Sequence, residues 1–128
     1  MTEFHDSDPF LLVSSFSGSP IGKGKVYVVP EIKERVINNT VYNLKEHTLK
    51  TGISLQWPND VKLVPSGVFE ENRSIVIPDG FLVPGHSNGG IYVVTIDDTD
   101  ITKVNSHHTI THNKDGYFYH MGEWIDMN

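Results

Sequence analysis

An all-β fold of antiparallel sheets is what this sequence predicts, and three observations carry that expectation. Nearly every patterned segment is short, rich in β-branched or aromatic residues, and closed by Gly, Pro, Asn or Asp. A single stretch, Pro30 to Ile37, has helical character. A strand–loop–strand unit also nearly occurs twice. Leu12-Val13 leads through a polar loop to Gly24-Lys25-Val26-Tyr27-Val28-Val29, and Leu82-Val83 leads to Gly89-Gly90-Ile91-Tyr92-Val93-Val94. Repeated hairpins point to a repeat architecture.

The elements follow in order. Leu11 to Phe16 is an apolar strand ended by Ser17-Gly18-Ser19-Pro20, and Lys25 to Val29 is its partner. Pro30 sits at the first helical position of a helix of one or two turns. Thr40 to Leu44 and Ile53 to Trp57 alternate in part and read as strands. Asp60 to Val64 alternates until Pro65 stops it. Ser74 to Ile77 is a strand closed by a Pro78-Asp79-Gly80 turn. Phe81 to Val83 and Ile91 to Ile96 form the second hairpin, and Asp97-Asp98-Thr99-Asp100 is a polar turn. Ile101 to Val104, His107 to His112 and Tyr117 to Trp124 complete the strands.

The 128 residues suit a single all-β domain over 1–128, with the near-repeat at 11–29 and 81–94. The 10% aromatic share argues against disorder. A formal charge of −6 weighs against nucleic acid or anionic lipid as a partner. No apolar run reaches the roughly 20 residues of a spanning helix. Met1 to Asp6 lacks the basic and apolar regions of a signal peptide, so the chain as written is expected in the cytosol. With no cysteine, disulfides, thiolate metal sites and cysteine nucleophiles are excluded. Asn38-Asn39-Thr40 and Asn72-Arg73-Ser74 match the glycosylation sequon.

Many short strands between turn signals fit a sandwich, a barrel or a propeller, and the near-repeat favours the propeller. Its Leu-Val elements lie about 70 residues apart and its Tyr-Val-Val elements about 65. A blade needs about 40–50 residues. The expectation is therefore about two blade-like units of an incomplete propeller, completed by remaining blades or by other chains.

The last residues, Gly122-Glu123-Trp124-Ile125-Asp126-Met127-Asn128, resemble the strand that runs into the calcium loop of FG-GAP (integrin-α-like) β-propellers. Asp79 to Pro84, Tyr92-Val93-Val94 and Tyr117 to His120 are similar to blades of that type. The resemblance implies an N-terminal part of such a propeller and an extracellular setting. It also implies calcium, with Asp126 and Asn128 as the first two oxygen ligands of an alternating cage. The remaining ligands of that loop are not in this chain.

Two catalytic patterns compete with a binding role. Gly85-His86-Ser87-Asn88-Gly89 matches the Gly-x-Ser-x-Gly elbow that presents a nucleophilic serine. Asp97, Asp98 and Asp100 and then His107, His108, His112 and His120 follow in the order a hydrolase needs. That chemistry requires a strand–turn–helix, whereas the β-rich Ile91 to Ile96 follows here, so a hairpin loop is the plainer reading of Ser87. His108 and His112 are expected on one strand face with Ile110. With His120 they are candidate ligands for zinc, copper or iron, against the plainer reading as surface histidines. Gly18 to Lys25 fails as a phosphate loop, because Gly24 stands where Ser or Thr must bind magnesium. Trp57-Pro58-Asn59-Asp60 and Phe69 to Asn72 either pack between blades or line a ligand groove. The leading expectation is a non-catalytic binding or scaffold module for a protein, glycan or small molecule. The alternatives are a histidine-metal enzyme and a serine hydrolase.

Overall fold

Ile75 and Ile77, and Tyr92, Val94 and Ile96, fall buried at every second position of their strands, and this alternation builds a sheet with one buried face. In a computed structural model, residues 10–15, 24–41, 43–65, 68, 73–80, 89–112 and 122–125 are described. Two antiparallel sheets form. The smaller is the hairpin of β1 (Leu11–Ser15) and β2 (Lys25–Val29), with Leu11 opposite Val29 and Ser15 opposite Lys25. The larger holds β3 (Trp57–Pro58), β4 (Lys62–Leu63), β5 (Ser74–Gly80), β6 (Gly90–Ile96) and β7 (Val104–His112). Its order is β3-β5-β6-β7, with β4 on β5 beside β3.

The β3 and β4 segments are two halves of one broken strand. Trp57 and Pro58 pair with Gly80 and Asp79, whereas Lys62 and Leu63 pair with Val76 and Ile75, one residue out of step. The extra residue is a bulge, and Asp60 takes a left-handed φ of 41° within it. Pro78 explains its position. The Pro78 carbonyl accepts from Asn59 N at 2.9 Å, so the donor that proline lacks faces the same bulge, where the ladder is already interrupted.

The core lies between the hairpin and the larger sheet. Val26 and Val28 of β2 meet Ile75 and Ile77 of β5 and Tyr92, Val94 and Ile96 of β6, with Leu49, Leu55 and Ile101 filling between them. Ile75 is opposite Val94 and Ile77 opposite Tyr92, so one pleat face supplies both strands' contributions. The segment after the hairpin stitches the two sheets together. Leu49 N donates to Val26 O at 2.8 Å, and Lys50 N to Thr102 O at 2.9 Å. Gly24 is needed at the crossing, because a Cβ there would lie 2.5 Å from Pro58 Cδ and 2.8 Å from Gln56 O.

The all-β expectation holds, and no closed propeller is seen among the described residues. The helix α1 (Ile32–Ile37) has the expected length. It starts after a left-handed Glu31 and not at Pro30, and it ends on a left-handed Asn39 with Thr40 N donating to Arg35 O. Three other expectations are corrected. The Pro78-Asp79-Gly80 turn is the end of β5, because β3 pairs with it. The described residues of Thr40 to Leu44 are in no strand, and Leu44–His47 is a 3-10 turn in which Asn43 Oδ1 accepts from Lys45 N. Of Ile53 to Trp57, only Trp57 is in a strand. The strand that precedes β6 and pairs with it is β5 at Ser74–Gly80, and Leu82-Val83 lie outside the described residues. The polar turn at Asp97 is present. Asp97 Oδ2 accepts from Thr99 N, Thr99 Oγ1 and Asp100 N, which holds its carboxyl down at about 2.

Candidate functional site

The face of the larger sheet turned away from the hairpin carries an open groove of about 180 Å³. Alternation directs Val76 and Pro78 of β5 to this face, because Ile75, Ile77 and Asp79 face the core. Ile110 of β7 joins them, and the extended segment Gly122 to Trp124 forms the opposite wall. Ile110 is 58% exposed and Trp124 39% exposed, a large apolar surface left open to solvent.

Charge is confined to the mouth. Lys62 Nζ donates to Glu123 Oε2 at 2.8 Å and lies 3.5 Å from Asp60 Oδ2. The hydrogen bond to Glu123 holds the Lys62 ammonium above its ordinary pKa, and the Asp60 charge adds to it. The same bond holds the Glu123 carboxyl below its ordinary value. The bulge after β3 places Asp60, and β4 presents Lys62 beside it. Glu123 Oε1 also accepts from Trp124 N at 3.2 Å, which ties the wall to its charged end. The arrangement is an apolar slot with an indole wall and a mouth of net charge −1, counting Asp60, Glu123 and Lys62. Among the described residues it contains no paired nucleophile and base.

A second hollow of about 400 Å³ runs between β2 and residues 48–55. Lys25 and Lys50 are the charged residues of its lining.

A buried polar cluster lies on the core side. Asp79 Oδ1 accepts from Gln56 N at 3.0 Å and Trp57 N at 2.8 Å, and Oδ2 accepts from Gln56 N at 3.1 Å. Burial pushes the Asp79 carboxyl up to about 6, against these hydrogen bonds. Burial, then the Asp79 charge, raises the Tyr92 phenol. Gln56 is 1% exposed, and among the described residues its side-chain Oε1 and Nε2 find no hydrogen-bond partner.

The structure separates the candidate histidines. His108 lies opposite Val93 and His112 opposite Gly90, while a register shift between Ile91 and Tyr92 leaves Ile110 as an extra residue. Paired residues share a face, and Val93 and Gly90 are three apart on β6, so His108 and His112 lie on opposite faces. The expectation that they share one face is therefore corrected. His107, His108 and His112 are all exposed. Among the described residues no three metal-capable side chains come together. His120, Asp126, Asn128 and Ser87 lie outside the described residues, as do Phe69 to Asn72. After the Ser87 motif the chain enters β6, where the hydrolase elbow needs a helix.

Of the aromatic segments read as possible groove linings, Trp57-Pro58-Asn59-Asp60 contributes Asp60. Sequence reasoning missed Lys62, Ile110, Glu123 and Trp124. The signal for the last two was a tryptophan beside an acid in a short stretch without alternation. Comparison with known protein families, curated proteins and solved structures gives no match.

Proposed function

We propose that this chain is a non-catalytic binding module of β-propeller type that takes its ligand in the outer-face groove. The observation that carries the reading is the groove: an open apolar slot, walled by Trp124 and edged by charge, on a sheet whose other face packs on the hairpin through β5 and β6. The propeller type is supported by the meander of β5, β6 and β7, flanked by the β3–β4 strand, packed face to face on a second antiparallel unit. In this reading β1 and β2 belong to a neighbouring blade, and further blades or other chains complete the ring. The FG-GAP resemblance adds an extracellular setting and a calcium loop opening at Asp126 and Asn128. The divergent faces of His108 and His112 weigh against the histidine-metal alternative, and β6 directly after the serine motif weighs against the hydrolase.

The test is a panel of neutral, cationic and anionic small molecules followed by amide and indole NMR. Saturable shifts should cluster at Lys62, Ile110, Gly122 and the Trp124 indole. Shifts confined to the β7 histidines, or none with any compound, would overturn the groove as the ligand site.

A further inference from the structure

We infer that the groove selects small organic cations, an aryl- or alkylammonium whose apolar part lies along Trp124 and Ile110 and whose ammonium pairs with Asp60 and Glu123; this rests on the groove being the ligand site. Three features converge. The floor of Val76, Pro78 and Ile110 offers no hydrogen-bonding side chain, so the part of a ligand that enters must be apolar. At the mouth the two carboxylates are acceptor-only groups, and each ionised carboxylate has about four acceptor positions. Lys62 Nζ reaches one oxygen of each, at 2.8 Å for Glu123 and 3.5 Å for Asp60, and the Trp124 backbone N–H takes one position more on Glu123. Acceptor positions are left over on both, and a ligand ammonium is the group that uses them. Third, the indole face attracts a cation held within about 6 Å of it, and the chain's charge of −6 favours a cation over an anion at long range.

Lys62 is the internal counterpart of the ligand. Its ammonium already shows that a cation is stable between these two carboxylates, and it competes for them. Removing it leaves a mouth of charge −2 and an unchanged floor. The inference therefore predicts a gain in affinity from deleting a charged residue, an outcome that general weakening of the site does not produce.

Phenethylammonium, phenethyl alcohol and phenylacetate share a ring and differ in charge. Each is titrated into the intact chain with the Trp124 indole signal as readout, assigned by its loss in Trp124→Phe. Phenethylammonium should bind with a Kd on the order of 1 mM, as a small ligand in an open groove does. Phenylacetate should bind at least about ten-fold more weakly. Lys62→Met should tighten phenethylammonium by about five-fold, and Asp60→Asn with Glu123→Gln should weaken it by about as much. All three residues lie at the surface, and Asn accepts the left-handed backbone of Asp60. Equal binding of all three compounds, or tighter binding of phenylacetate, overturns the cation selectivity while leaving the groove as a ligand site. No saturable shift with any of them removes both. Unchanged amine affinity in Lys62→Met and in the double variant overturns the assigned role of the mouth.

Discussion

Asp79 has no exposed surface, yet its carboxylate is tied to two backbone N–H groups from a segment more than twenty residues away. Its pKa is raised from 3.8 to about 6 by burial, so between these values the folded chain binds the proton more tightly than the unfolded one. The Asp79 contribution is therefore largest below pH 4 and is lost as pH rises through 6. The loss is on the order of 3 kcal/mol, at about 1.4 kcal/mol per unit. Denaturant unfolding at pH 4.5 and pH 7 should show about 2 kcal/mol of that fall in the native chain and not in Asp79→Asn; equal falls in both would remove Asp79 as its source. Gln56 makes the opposite case. Its amide is buried with neither end paired among the described residues, and such a group costs about 1–3 kcal/mol. Gln56→Met, similar in volume, should raise stability by about 1–2 kcal/mol in urea titrations. A loss of that size would show that the amide is satisfied in solution. Neither role was legible in the sequence. Asp79 reads as a turn residue between Pro78 and Gly80, and its function depends on a backbone segment that only the fold brings near.

Among the elements, β1, β2, β5, β6 and β7 were legible because β-branched residues and closing turns mark them locally. The breaks in the sheet were not. The bulge at Asp60 arises because Pro78 cannot donate toward it, and the bulge at Ile110 arises from register against β6. A slip of one residue reverses every side chain beyond it, which is how His112 parts from His108. This also shows why a histidine cluster read from alternation alone was unsafe. The docking of β2 on the larger sheet rests on apolar burial. Val28 is fully buried in the shared core, so Val28→Ala should cost about 2–3 kcal/mol. Val41→Ala, at a 92% exposed position, should stay within about 0.5 kcal/mol. Equal effects at the two sites would mean that the hairpin does not pack on the sheet in solution.

At the scale of the molecule, one core joins the two sheets. Leu49, Leu55 and Ile101 belong to the same core cluster as residues of both layers, and the 48–50 segment is hydrogen-bonded to β2 on one side and to Thr102 on the other. Thermal unfolding should therefore be a single transition by far-ultraviolet circular dichroism and by tryptophan fluorescence. Two separated transitions would show that the hairpin and the larger sheet are independent. The class of fold was legible because it is the sum of many local strand signals. The groove was not, because β4, β5, β7 and the 122–125 segment each supply a part of it and none carries a motif. Its role as the ligand site is the central claim, and Gly122 allows the most direct test. A Cβ built at Gly122, in the groove wall, meets nothing within 4 Å, so a phenylalanine can start there without a clash at its first atom. The small-molecule titration is repeated on Gly122→Phe, with its melting temperature measured alongside. An unchanged melting temperature together with loss of the ligand-induced shifts at Ile110 and the Trp124 indole is the predicted result; undiminished shifts in the folded variant would contradict it.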